Sequence, residues 1–295
     1  MSVAEKAVAA PAVADASSRD SRVTTITPPT RLPRLEVREL WRFRELAGAF
    51  VVRDLKVRYK QTLIGVAWVL VQPILATGIF TIFFGRYADL YSDGKPYQVF
   101  VFSGVIMWMT YFQPAFTSAS GSIAGSKGLI TKVFFPRVLL PLGAVATPLV
   151  DFVVVFPVLV GMVLWLQIPI TGQFLLFPLF VLLAFVTAFA AGLFFTVAGV
   201  RYRDVPYAIP FVMLVLLFCS PVFWSINDPN LQEKYVWLAS LNPMTGAISG
   251  FRWAVIGSPA PPAPVLPVGI AMAVILLVAG LAYFRRAEPG SADTI

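Results

Sequence analysis

A helix of about 20 apolar residues crosses the roughly 30 Å hydrocarbon core of a bilayer. Runs of that kind constrain this chain more than any other feature. Five uncharged runs reach or approach the length, at 62–84, 98–120, 174–199, 205–224 and 265–284. A sixth, 138–168, is longer and holds one charge, Asp151. Charged residues are only 13% of the chain and apolar residues 58%, against roughly 25% charged in a soluble domain. There is too little charge to cover a water-facing surface, so a soluble globular fold is excluded. The reading is an all-α polytopic membrane protein with six transmembrane helices. Pro73, Pro114, Pro148, Pro157, Pro178 and Pro210 fall inside the runs, where membrane bundles tolerate them because neighbouring helices re-satisfy the backbone.

Lys and Arg set the orientation. The segment before the first run holds 12 of them, and Lys127, Lys132, Arg137, Arg201, Arg203, Arg285 and Arg286 fall on the same side. Only Arg86, Lys95, Lys234 and Arg252 fall on the other. That asymmetry places both termini in the cytoplasm. It also turns the net charge of +8 into a statement about topology and anionic membrane lipid, with no nucleic acid implied. Residues 237–256 are fairly apolar, but a seventh span there would carry the basic tail outside. Asn242, Pro243, Gly246, Gly250 and Arg252 interrupt the stretch, which predicts re-entrant helices on the outer face before the last span. Residues 1–34 read as a disordered cytoplasmic tail rich in Ala, Ser, Thr, Pro and Val. Residues 35–60 read as a cytoplasmic interface helix, 61–286 as the six-helix domain and 287–295 as a second tail.

Several segments are candidates for function. Leu40, Phe43, Leu46, Ala47, Phe50 and Val51 share one helical arc, with Arg38, Arg42, Glu45 and Arg53 largely opposite. This suits an amphipathic helix in the cytoplasmic interface, and its basic end, Arg53, Lys56, Arg58 and Lys60, suits a phosphate-bearing headgroup. In the loop 125–141, Lys127, Lys132 and Arg137 flank Leu129, Ile130, Val133, Phe134 and Phe135, a short amphipathic segment fit to dock into a partner's cleft. Gly125-Ser126-Lys127-Gly128 is not a phosphate loop, because no Ser or Thr follows the Lys and Ser126 stands where a Gly should precede it. Asp151, costly inside a membrane, is expected to face the bundle and pair with a neighbour. Trp68, Phe80, Phe83, Phe84, Phe211, Phe218, Phe223 and Trp224 supply aromatic faces that would suit the apolar faces of sugars in a pore. The chain has no His and one cysteine, Cys219, read as a small buried hydrophobe. No metal site, cofactor motif or nucleophile with its base is present in the sequence, so energy for uphill transport would come from a partner.

The run Arg53-Asp54-Leu55-Lys56-Val57-Arg58-Tyr59-Lys60-Gln61-Thr62, with Leu63-Ile64-Gly65, Trp68 and Pro73, closely resembles the approach to the first span in ABC-2 type permeases. Residues 129–137, Arg201-Tyr202-Arg203-Asp204-Val205, Pro210, Ser220-Pro221 and Leu241-Asn242-Pro243 resemble later landmarks of the polysaccharide-export branch, which handles O-antigen, teichoic acid, capsule and galactan. The likeness runs from about residue 41 to 286. It implies a homodimer of permeases in the bacterial inner membrane. It implies two separate ATPase subunits that bind ATP and Mg, docked on Lys127, Leu129, Ile130, Lys132, Phe134 and Phe135. It implies export of polyprenyl-diphosphate-linked polysaccharide through a pore on spans one and five, with Asn242 and Pro243 in an outer gate. No cofactor is expected in this chain. An ABC-2 exporter of a small lipid or drug shares the layout. A membrane enzyme would gather ionisable residues near one membrane face, and an ion-coupled transporter would depend on Asp151.

Overall fold

The computed structural model describes residues 43–60, 65, 67–130 and 135–287. The proposed tail at 1–34, the start of the interface helix and the tail from 288 lie outside the described residues. The described residues are all-helical and form a multi-pass membrane protein. Five helices are long and apolar enough to cross a bilayer. They are α2 (Ala67–Tyr87), α3 (Tyr97–Gly121), α5 (Leu139–Trp165), α6 (Phe177–Arg201, led by a 3₁₀ turn at Gly172–Leu176) and α10 (Val265–Ala287). The shorter α7 (Val205–Cys219) is equally apolar. Before α2 comes α1 (Arg44–Tyr59), and between α3 and α5 lies the single-turn α4 (Lys127–Ile130). Two short helices, α8 (Glu233–Ser240) and α9 (Pro243–Ile256), precede α10.

The core is built around α3. In its most apolar stretch 83% of residues are buried, against 11% in α2, so α3 is the axis of the bundle and α2 a peripheral stave. Helices in lipid gain little from hiding apolar side chains from one another; close packing and hydrogen bonds hold them together. The contacts of α6 follow that rule. A side chain at Gly192 would sit 2.6 Å from Ala119 Cβ on α3, and one at Gly280 on α10 would sit 2.8 Å from the Ala190 carbonyl. The Thr196 hydroxyl donates across to the Ala119 carbonyl at 2.6 Å. Both α2 and α3 contain a π-helical turn, at Thr81–Tyr87 and Ile106–Phe112, a deviation common at functional sites.

Two features depart from the sequence reading. The run at 205–224 is helical only to Cys219. Ser220 is extended (φ −103°, ψ 146°) because it precedes Pro221, whose ring disfavours helical geometry in its predecessor. The fifteen residues of α7 rise about 22 Å. Cys219 is exposed rather than buried, because α7 lies at the rim with most of its side chains turned away from the core.

The stretch 237–256 breaks as its composition suggests. Asn242 caps α9, its side-chain oxygen accepting from the Met244 amide at 3.0 Å. Pro243 takes the first helical position, where its missing N–H costs nothing. Gly257 ends α9 in the left-handed region at φ 63°.

Candidate functional site

The basic run and the interface helix are one element. α1 continues through Arg53, Lys56 and Arg58 to Tyr59 and stops at the extended Lys60. It is fastened to α5 at two points. Phe50 is buried with its Cβ 3.3 Å from where a side chain at Gly143 would begin, and its ring packs on Phe135 at 5.6 Å. At its end, Arg58 Nη1 donates to Asp151 Oδ2 and the Tyr59 hydroxyl donates to Asp151 Oδ1. The buried carboxylate thus finds a cation on a different helix. Burial first, then the hydrogen bond to Asp151, hold the Tyr59 phenol protonated well above its ordinary range. Asp151 is therefore paired within the bundle, and Arg58 is committed to it rather than standing with its neighbours as a free anion ligand. Of those neighbours, Lys56 and Lys60 are exposed, and Arg53 is exposed with an ion pair to Asp54 at 2.8 Å.

Beside this clasp opens a cleft of about 1060 Å³ between α2 and α3. One wall is a single face of α2: Trp68, Gln72, Leu75, Ala76 and Ile79, spaced as one helical stripe. The other is Thr110, Gln113, Pro114, Thr117 and Ser118, the same periodicity on α3. Arg58, Tyr59 and Asp151 add a polar end, and Gly65, Val69, Pro73 and Met109 complete the lining. Thr110 is 7% exposed and its hydroxyl has no protein partner. Such an orphan costs about 1–3 kcal/mol. The carboxamides of Gln72 and Gln113 each donate and accept, so the cleft is amphipathic with little uncompensated charge.

The candidate aromatics divide. Trp68, Phe83, Phe211 and Phe218 are exposed on the outer faces of α2 and α7. Phe80 and Trp224 are half-buried. Phe223 is 3% exposed, stacked on Phe84 at 5.0 Å and packed against Phe80 and Phe218. It cannot line an open path: the chain reversal after Pro221 turns it inward, which corrects its placing among the pore aromatics. Phe135, expected on the surface that meets a partner, is likewise buried against Phe50. Leu129 is half-buried beside that cluster. Lys132 and Phe134 lie outside the described residues, while Lys127 and Ile130 open and close α4.

The block around α8 and α9 holds a residue that sequence reasoning counted only as a topological charge. Arg252 on α9 is 2% exposed. Its guanidinium lies over the Phe100 ring at 3.6 Å and donates to the carbonyls of Phe100 (3.2 Å), Pro221 (2.6 Å), Val222 and Trp224 (3.3 Å), and to Ser103 Oγ (3.2 Å). It thereby satisfies the backbone where the chain reverses after α7. Asn242 adds a second tie, its amide donating to Ser220 Oγ at 2.9 Å. Gly104 makes room, since a side chain there would lie 2.5 Å from the Val222 carbonyl and 2.6 Å from Arg252 Nη2. The sequence signal for Arg252 was a lone Arg inside an apolar stretch. The signal for the cleft was a polar stripe, Thr110, Gln113, Thr117 and Ser118, on one face of a span.

Known proteins are similar to this chain over most of its length. A permease protein of an O-antigen export system from Myxococcus xanthus is 27% identical over 261 residues, covering 88% of this chain and 98% of that protein. A protein of the same description from Klebsiella pneumoniae is 25% identical across 68% of this chain and 76% of its own length. A capsule polysaccharide export inner-membrane protein of Neisseria meningitidis serogroup B is 27% identical across 73% and 80%. The family profile described as ABC-2 type transporter matches residues 45–256, from the second residue of α1 to the last of α9. The chain belongs to the ABC-2 type transporter family.

Proposed function

We propose that this chain is the permease subunit of a polysaccharide exporter. It carries a polyprenyl-diphosphate-linked glycan from the cytoplasmic to the outer face of a bacterial inner membrane. Likeness along most of the length to permeases named for O-antigen and capsule export carries this reading. Two copies of the chain enclose the path, with the exposed aromatic faces of α2 and α7 turned toward it. Two separate ATPase subunits bind ATP and Mg and dock on the loop around α4. Both termini are cytoplasmic, in keeping with the excess of Lys and Arg on that side.

In this reading Arg53, Lys56 and Lys60 draw the diphosphate headgroup to the interface. ATP-driven closure of the partners moves the loop around α4. That loop adjoins the Phe50–Phe135 contact, so the movement reaches α1 and then α2. The outer gate is the block of α8, α9 and the Ser220–Trp224 reversal, closed by Asn242, Pro243 and Arg252.

Mass spectrometry of lipid-linked glycans in cells depleted of this protein tests the reading. Accumulation of a long polyprenyl-linked glycan on the inner leaflet is expected. An unchanged glycolipid pool would sink it and favour export of a small lipid or drug.

A further inference from the structure

Resting on the exporter reading, we propose that the clasp between Arg58 and Asp151 is a latch of the transport cycle, with Asp151 its positioning residue. The latch is closed at rest and opens when α2 closes on α3. Arg58 then passes to the carboxamide oxygens of Gln72 and Gln113.

The two fastenings of α1 are built for different tasks. Phe50 meets Gly143 and Arg58 meets Asp151, eight residues further along on both helices. α1 and α5 therefore run side by side in the same direction over about 12 Å. The first fastening is an apolar contact, with Phe50 buried. At the second, Arg58 is paired with one carboxylate and 33% of its side chain is exposed. A guanidinium fixed in place looks different in this same chain: Arg252 is 2% exposed and donates to four carbonyls and a hydroxyl.

A second seat lies beside the first. Gln72 on α2 and Gln113 on α3 share the cleft lining with Arg58. Gln72 is exposed and Gln113 half-buried, and a carboxamide oxygen accepts from a guanidinium. α2 has room for the move. In its most apolar stretch only 11% of residues are buried, and the cleft of about 1060 Å³ separates it from α3. Gly65, between α1 and α2, stands in the left-handed region at φ 56°, which a glycine enters and leaves at little cost. Tyr59, on the other carboxylate oxygen, keeps Asp151 hydrogen-bonded while Arg58 is away. A buried carboxylate resists losing its cation. The latch therefore stays shut until the ATPase side moves α1 through the Phe50–Phe135 contact. Two seats for one cation supply the two discrete arrangements that coupling between distant sites uses.

The test bridges the latch reversibly in the permease–ATPase complex, reconstituted with lipid-linked glycan extracted from cells depleted of the permease. Tyr59→Cys and Asp151→Cys are combined in a Cys219→Ser background and joined by a short bis-thiosulfonate reagent, which dithiothreitol removes. ATP hydrolysis and glycolipid translocation are read in one sample before bridging, after it and after reduction. Bridging should slow both about tenfold, and reduction should restore both. Full turnover with the bridge quantitatively in place would show that the clasp never opens and would overturn the proposal. Hydrolysis that responds to the bridge with no glycolipid movement would sink the exporter reading and leave the latch standing. A second variant, Gln72→Leu with Gln113→Leu, removes the other seat and leaves the clasp whole. It should melt within about 2 °C of wild type and turn over about tenfold more slowly. Turnover at the wild-type rate would overturn the second seat, and the proposal with it.

Discussion

Two arginines lie beside α3 and solve the same problem in opposite ways. Arg252 is fully buried beside the first turns of α3; among the described residues it forms no ion pair, and backbone carbonyls and an aromatic face hold it. Arg58 lies beside the cleft along the second half of α3, with a third of its side chain exposed and a carboxylate partner. Carbonyls on two segments cannot leave a buried guanidinium without each losing its donor, so the arrangement around Arg252 is built to keep one shape. An ion pair with one exposed member can exchange its partner for water or another ion at modest cost. The α8–α9 end of the bundle is rigid by construction, and the clasp between α1 and α5 is separable.

Four substitutions would break or sharpen that contrast. Arg252→Met should be the most damaging. It strips donors from the carbonyls of Phe100, Pro221, Val222 and Trp224, at ~1–3 kcal/mol for each left unsatisfied. At roughly 2–4 °C per kcal/mol, thermal unfolding in detergent should show a drop of many degrees; an unchanged Tm would mean water satisfies the reversal without it. Gly104→Ala attacks the same block by crowding and should cost about 1–3 kcal/mol, visible in the same melt. If it unfolds no earlier than wild type, the reversal has slack that the geometry denies.

Asp151→Asn should cost less than Arg252→Met, about 1–2 kcal/mol, because Arg58 can rehydrate. The paired change Arg58→Met with Asp151→Leu should recover most of that loss. A double-mutant cycle with coupling near zero would show that α1 is held by Phe50 alone. Asn242→Ala should be the mildest, about 1 kcal/mol for the lost cap. Increased protease nicking between α8 and α9 would report it; a pattern identical to wild type would put the weight of the break on Pro243.

The spans were legible because an uncharged run of about 20 residues has one low-energy environment. α2, α3, α5, α6 and α10 accordingly fall where the runs place them. The break at Asn242-Pro243 was legible for a local reason, since cap and proline act within one turn. That Asp151 needed a partner was also readable, though which cation reaches it depends on how α1 packs on α5. Phe223 and Phe135 mark the limit. An aromatic side chain suits lipid, core or ligand equally, and tertiary packing alone turned both inward. Arg252 was misjudged because counting charge outside the spans treats every Arg as solvated. The cleft lay in plain view as a polar stripe, but the stripe means nothing until the Trp68 face stands opposite it.

The brevity of α7 has a consequence for the membrane itself. A hydrophobic segment several ångströms too short is accommodated by thinning of the surrounding bilayer or by water reaching down to its end. Beyond the reversal, Asn227 and Asp228 are partly exposed and favour the aqueous phase at that depth. The insulating layer therefore thins beside α7, the shortest of the six long apolar helices among the described residues.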